Sequence, residues 1–112
     1  MSVSIRRDPK ARQATIARAK ALAAAQSTPT LIASLRALAP QIEAARAKAR
    51  ETKAIADYDQ CAALNLSHAW TVEALENRYP QAVKALEAAF EADEDADYDA
   101  VLIAAIPAAD RV

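Results

Sequence analysis

Few side chains in this sequence could react with a substrate. Cys61 and His68 are the single cysteine and the single histidine of the chain. A nucleophilic Cys–His pair needs a third group to orient the imidazole and a pocket that excludes water, and the spacing supplies neither. Glu73 and Glu76 could form an acid–base pair, but no neighbouring residue type would raise the pKa of one of them. We therefore predict no catalytic residue, no metal site and no cofactor, and a protein that is not an enzyme.

A run of acids at positions 91–99 resembles part of a calcium-binding loop. Asp occupies alternate positions from 93 to 99, as in an EF-hand. An EF-hand loop also needs Gly at its sixth position and Glu at its twelfth, where this chain has Tyr98 and Ala104. We therefore interpret 91–99 as a solvated linker whose last acids cap the next helix. The candidate acidic face comprises Glu91, Asp93, Glu94, Asp95, Asp97 and Asp99.

Charge is divided unequally along the chain. Residues 1–56 carry eleven Lys and Arg against three acids, whereas residues 57–112 carry three against twelve. The basic half could contact phosphates, but every aromatic residue lies in the acidic half, so no stacking platform accompanies the cations. We favour the alternative that acids of a following helix neutralise the cations, within one chain or between chains. The candidate basic face comprises Arg6, Arg7, Lys10, Arg12, Arg18, Lys20, Arg46, Lys48, Arg50 and Lys53.

An apolar repeat identifies the helix that should position the rest of the chain. Positions alternately four and three apart are apolar from Leu31 onward, which is typical of a helix that packs one narrow seam against a partner helix, as in a coiled coil. The seam changes from Leu and Ile to Ala, so we expect the partner to approach closely. The candidate seam comprises Leu31, Leu35, Leu38, Ile42, Ala45, Ala49, Ala56 and Ala63.

The N-terminal half divides into an arm and two helices. Residues 1–8 lack periodicity and are predicted to form a basic arm, and Asp8 and Pro9 then give a cap and a first helical residue for a basic helix at 9–26. The central helix is predicted over 30–64, with a kink or a break near Pro40. We expect it to stop at Asn65, because Asn tolerates the left-handed conformation that ends many helices.

The C-terminal half is predicted to contain a partner helix and a short apolar helix. Thr71 resembles an N-cap, so the partner helix is placed at 72–92, and Pro80 could split it. After the acidic linker at 91–99, an apolar helix at 99–106 must be buried in this chain or in another. The candidate partner surface on it comprises Val101, Leu102, Ile103 and Ile106.

Composition limits the class of the protein. The chain has no Gly, which excludes glycine-rich phosphate loops, and no apolar run long enough to span a membrane. It contains 32 Ala but only 22 Leu, Ile, Val and Phe among 112 residues, so its helices should form readily around a thin core that another chain completes. We predict one all-α domain over 1–112, a small helical bundle built on a long central helix hairpin.

The function predicted from these features is helix-mediated association. We expect a structural or adaptor component of a larger assembly, with a protein partner or a second copy, no membrane and no small-molecule substrate. The location would be cytoplasmic, or the virion if a phage encodes it. A first alternative is a small inhibitor whose acidic face mimics a nucleic acid, and a second is nucleic-acid binding through the basic half.

Overall fold

The computed structural model describes residues 8–112, and within them every regular element is helical. The helices are α1 (Pro9–Ala25), α2 (Thr28–Thr52), α3 (Ile55–Arg78), α4 (Pro80–Ala92) and α5 (Tyr98–Ala105), followed by a 3-10 turn at Ala108–Arg111. The predicted all-α helical bundle is therefore confirmed. The predicted arm, apart from Asp8, lies outside the described residues, and so do Arg6 and Arg7 of the candidate basic face.

The start of α1 follows from its local sequence. The Asp8 carboxylate accepts hydrogen bonds from the backbone N–H of Lys10 (3.0 Å) and of Ala11 (3.4 Å). Pro9 occupies the first helical position, where its missing N–H removes no helix bond. Both signals act within one turn, so the predicted start of this helix is confirmed.

The central helix predicted over 30–64 is divided at a place that was not predicted, because the chain reverses between Thr52 and Ile55 and not near Pro40. α2 ends at Thr52, Lys53 adopts a left-handed conformation (φ 54°), and α3 returns antiparallel from Ile55. The Thr52 hydroxyl stabilises this turn by donating to the Asp57 carboxylate (2.6 Å) and accepting from the Ala54 N–H (3.3 Å). Alanine on both sides of the turn continues the apolar pattern, which conceals the break.

The predicted helix ends at Asn65 and Thr71 are also wrong, because α3 continues through both residues to Arg78. Each side chain donates a hydrogen bond to the carbonyl four residues earlier, Asn65 Nδ2 to Cys61 (2.9 Å) and Thr71 Oγ1 to Ser67 (2.8 Å). A polar side chain that bonds back in this way is accommodated inside a helix.

The two prolines behave differently. Pro40 lies within α2, which continues through it. Because proline has no N–H, the carbonyl four residues earlier lacks its helix hydrogen bond. Pro40 is exposed, so water can solvate that carbonyl. Pro80 splits the predicted 72–92 helix: α3 ends at Arg78, Tyr79 is not helical, and Pro80 opens α4.

The core lies at the open end of the α2–α3 hairpin, where α4 and α5 pack against it. Leu102 is 0% exposed and Ile106 is 1% exposed, so the C-terminal apolar helix completes this chain's own core. The candidate partner surface was therefore wrong: Leu102, Ile103 and Ile106 are buried and Val101 is half-buried. A chain with few large aliphatic residues uses all three in its own core. The other large residues of this core cluster are Leu31, Ile32, Leu35, Val72, Leu75 and Leu86.

The seam residues of α2 face α3 as far as the turn. Leu31, Leu35, Ile42 and Ala49 are buried, and Leu38 and Ala45 are half-buried. The seam prediction was wrong beyond that point, because Ala56 and Ala63 are exposed on α3. The turn at Lys53 resets the helical phase, so positions counted from α2 no longer point at the partner helix.

A polar network closes the open end of the hairpin. The Arg78 guanidinium donates to the carbonyls of Ala24 (2.6 Å) and Gln26 and to the Thr28 hydroxyl (3.3 Å). The Tyr79 hydroxyl lies 3.0 Å from Thr28 Oγ1 and donates to the Asp110 carboxylate (3.1 Å). This network joins the α1–α2 turn, the α3–α4 junction and the C-terminal turn.

Candidate interaction surface

The single histidine joins two helices. His68 Nε2 lies 2.8 Å and 3.1 Å from the two carboxylate oxygens of Asp99, which links α3 to the first turn of α5. Cys61 is two helical turns away, and its neighbour Asn65 contacts its carbonyl and its sulfur. Among residues 8–112, no group of three His, Cys, Asp or Glu is arranged to hold a metal ion. The His68–Asp99 geometry is that of a contact between helices.

A tyrosine beside this pair is held in its neutral form. The Tyr98 hydroxyl donates to the Glu76 carboxylate, and its ring centroid lies 6.0 Å from that of Phe90. Partial burial, followed by the charge and hydrogen bond of Glu76, raises the pKa of Tyr98 to about 12. This contact fixes the start of α5 against α3.

The candidate basic face is spread over two helices, α1 and α2. Lys20 of α1 lies 3.5 Å from Glu73, and Lys48 of α2 lies 3.5 Å from Asp57. The Thr52 hydroxyl bond, and then the charge of Lys48, lower the pKa of Asp57. The cations of the candidate face that lie in the described part of the chain are all exposed: Lys10, Arg12, Arg18, Lys20, Arg46, Lys48, Arg50 and Lys53.

The position of the hairpin turn keeps the cation at the end of α2 far from the acids in the second half of α3. Lys53 precedes α3, and Glu73 lies near its other end, about 30 Å away at 1.5 Å per residue. One chain therefore cannot bring the two together. The expected neutralisation of α2 cations by later acids occurs at Lys48, with Asp57 as the acid.

The candidate acidic face is mostly exposed, and part of it serves the local fold. Asp93 accepts a hydrogen bond from the Asp95 N–H (3.0 Å), and Asp97 caps α5 through the Ala100 N–H (3.2 Å). This confirms the predicted capping role for the last acids. Asp99 is half-buried against His68, and the exposed members are Glu91, Asp93, Glu94, Asp95 and Asp97.

A second apolar pattern runs along the side of α3 that faces away from α2. We call it the outer stripe and define it as Ile55, Tyr58, Ala62, Leu66 and Ala69. Their spacing of three, four, four and three places them along one side of a helix. The large members are 80% (Ile55), 50% (Tyr58) and 51% (Leu66) exposed, and both alanines are exposed. No described segment of the chain covers this stripe.

Sequence reasoning missed the outer stripe although its signal was present. The region 55–69 contains two sets of apolar residues at helical spacing, and the seam prediction used only the set that continues the repeat from Leu31. The residues of α3 that face the interior are instead Leu64, Val72 and Leu75. An apolar pattern inside a helix does not show which of two faces a neighbour covers.

A separate groove lies between α1 and α2 with α3 as its floor. It encloses about 460 Å³, and its largest apolar side chains are Leu22, Leu38 and Trp70. Leu22 is 63% exposed, so this groove, like the outer stripe, presents a large apolar side chain to solvent and can serve as its control surface.

No helix among the described residues is both long and apolar enough to cross a membrane. No protein-family model, curated protein or solved structure matches the chain.

Proposed function

We propose that this protein acts without catalysis, as a structural or adaptor component that associates with another protein through the outer stripe of α3. The observation that carries the proposal is the exposure of Ile55, Tyr58 and Leu66 on one face of a helix whose other face is packed. Apolar side chains aligned at helical spacing on a surface are typical of helix-to-helix recognition.

The hairpin provides a firm base for this contact. α2 and α3 pair along their length, and the turn between them is closed by the bonds of Asp57 to Thr52 (2.6 Å) and to Lys48 (3.5 Å). The stripe therefore lies on regular structure rather than on a loop. A preformed surface loses little conformational entropy when a partner binds.

Composition gives a second reason. The chain has few large apolar residues with which to build a core, and yet three of them on α3, Ile55, Tyr58 and Leu66, stay exposed outside it. Burying them against a partner would contribute about 25 cal/mol per Å² of apolar surface. We place the contact in the cytoplasm, or in a phage virion or its assembly.

The two alternatives drawn from the sequence stay predictions. Inhibition through a nucleic-acid-like face would use the exposed acids at 91–97, and nucleic-acid binding would use the exposed cations of α1 and α2. We rank both alternatives below association through the outer stripe, because the cations lie on two helices and the last acids also cap α5.

A photo-crosslinking residue at Leu66 tests the proposal. We expect covalent adducts with a protein, either in the protein's native cell extract or in the purified protein. The matched control carries the same residue at Glu87, an exposed position on α4 away from the stripe. The proposal fails if Leu66 gives no adduct, or if Glu87 gives the same adducts.

A further inference from the structure

We infer that the outer stripe binds the outer stripe of a second copy of this chain, with the two α3 helices antiparallel. This inference rests on the proposed function and names its partner. Three features support it: the symmetry of the spacing, the match of side-chain sizes and the charges beyond the ends of the stripe.

The spacing of the stripe is the same read in either direction from Ala62. Ile55 and Ala69 lie seven residues from Ala62 on either side, and Tyr58 and Leu66 lie four residues from it. A surface that binds its own copy about a twofold axis must be self-complementary, and this spacing places a stripe residue opposite every stripe residue. The axis would pass beside Ala62.

Antiparallel pairing also matches side-chain sizes. It places Ile55 against Ala69 of the second copy, Tyr58 against Leu66, and Ala62 against itself. The small residue at the centre allows helix axes to approach to about 8 Å. Parallel pairing would instead place Tyr58 against Tyr58 and Ala69 against Ala69, which holds the helices apart at one level and leaves a gap at another.

The charges separated along α3 meet in the antiparallel pair. With Ile55 of one copy beside Ala69 of the other, Lys53 lies at the level of Thr71, and its long side chain has to extend only two residues, about 3 Å along the helix, to reach Glu73. Lys53 is exposed, and Glu73 remains 48% exposed at its side chain although Lys20 lies 3.5 Å away. Each dimer would contain this Lys53–Glu73 contact twice. Contacts of this kind set orientation more than affinity.

The length of the stripe sets the expected strength. The ends of the stripe, Ile55 and Ala69, lie fourteen residue steps or about 21 Å apart, so the contact is smaller than a standard interface of roughly 800 Å² per partner. We therefore expect a dimer that dissociates on dilution in the micromolar range or above. Its mass would be twice the 12.0 kDa of one chain.

Sedimentation equilibrium over a range of concentrations is the first test. Leu66→Glu should weaken dimerisation at least ~10-fold, because it buries a charge in the apolar contact. Leu22→Glu is the matched control, since Leu22 is exposed at 63% on the separate α1–α2 groove, and it should leave dimerisation unchanged. Circular dichroism would verify that both variants keep their helices.

Disulfide trapping tests the orientation. In a Cys61→Ser background, Ala62→Cys should form a dimer on oxidation, because the Cα atoms at the axis would lie within the 4.4–6.8 Å that a disulfide spans. Ile55→Cys alone should give no dimer, and Ile55→Cys with Ala69→Cys should. A dimer from Ile55→Cys alone would show parallel pairing and overturn the inference.

A charge exchange tests the ends of the interface. Lys53→Glu should weaken dimerisation, and Lys53→Glu combined with Glu73→Lys should restore it. Restoration is expected only if the two side chains meet between copies, because one chain holds them about 30 Å apart. Failure of the double variant to recover would remove the antiparallel register.

The outcomes separate this inference from the proposed function. A monomer at every concentration up to about 0.5 mM, with adducts to another protein from the Leu66 probe, would overturn self-association and keep the stripe as a binding surface. A monomer with no adducts would overturn both. A dimer that Leu22→Glu weakens and Leu66→Glu does not would move the interface to the groove.

Discussion

Arg78 Nη2 lies 2.6 Å from the carbonyl oxygen of Ala24, so the end of α3 holds the end of α1. The carbonyls at a helix C-terminus lack partners within their own helix and carry partial negative charge. A guanidinium satisfies several of them at once, because its donors form a planar fork. This contact fixes a helix that contributes a single buried residue, Ala23, to the core.

Replacing Arg78 should therefore loosen α1 before the rest of the fold. We expect Arg78→Met to lower the free energy of unfolding by about 1.5–3 kcal/mol, the range for hydrogen bonds to a charged group. Urea unfolding measures the loss, and amide hydrogen exchange should show the largest gain within α1. Lys84→Met, which removes an exposed cation from α4, is the control and should change little. Equal exchange throughout the helices in Arg78→Met would contradict the assignment.

The left-handed residue at the hairpin turn offers a stabilising substitution. Lys53 has φ 54°, a conformation that is unfavourable for a residue with a Cβ and easy for glycine. We expect Lys53→Gly to raise the stability of the monomer by about 0.5–1 kcal/mol, after the larger unfolded-state entropy of glycine is counted. Ala54→Gly is the control: Ala54 has φ −82°, so glycine there should destabilise. Thermal unfolding of dilute protein compares them, and equal effects would argue against backbone strain at Lys53.

Tyr98 makes stability depend on pH in the alkaline range. Its pKa is raised from 10.0 to about 12, so the folded state keeps a proton that the unfolded state loses. The stabilisation is complete below pH 10 and is lost as the pH rises through about 12. Tyr98→Phe should remove this alkaline loss while costing the hydrogen bond to Glu76 at neutral pH. The ionisation of the tyrosines can be followed by absorbance in the wild type and in Tyr98→Phe. The difference between the two titration curves should show one group ionising near pH 12. A difference curve centred near pH 10 would contradict the raised pKa of Tyr98.

Truncation after Asp99 should unfold the protein rather than prevent its assembly. The removed segment carries Leu102, Ile103 and Ile106, all buried in the core of the same chain. Leu102→Ala isolates the effect and should cost about 2–5 kcal/mol, the range for a buried leucine. Val112→Ala is the control, because Val112 is almost fully exposed. Denaturant unfolding measures both variants, and a cost for Leu102→Ala similar to that of the control would contradict its place in the core.

Signals confined to one helical turn were predictable from the sequence. The Asp8 and Pro9 start of α1, the break before Pro80 and the capping by Asp97 each depend on neighbours within four residues, and the structure shows all three. Asn65 and Thr71 resemble the same kind of signal but failed, because a side chain that can cap a helix can also bond back into one.

Signals that depend on distant contacts were not predictable. The apolar stretch at 99–106 had to be buried, but only the packing against α2, α3 and α4 shows that this chain buries it. Ala49 and Ala56 look alike in sequence, and one is buried while the other is exposed because a turn lies between them.

The sequence by itself determined that this protein is helical, that its core is thin and that its charges are divided along the chain. These properties follow from alanine content, from the absence of glycine and from the order of charged residues. Tertiary structure decided which apolar face of α3 is left uncovered and which charges are separated. The reason is that the reversal at Lys53 sets both the pairing of α2 with α3 and the direction of every side chain that follows.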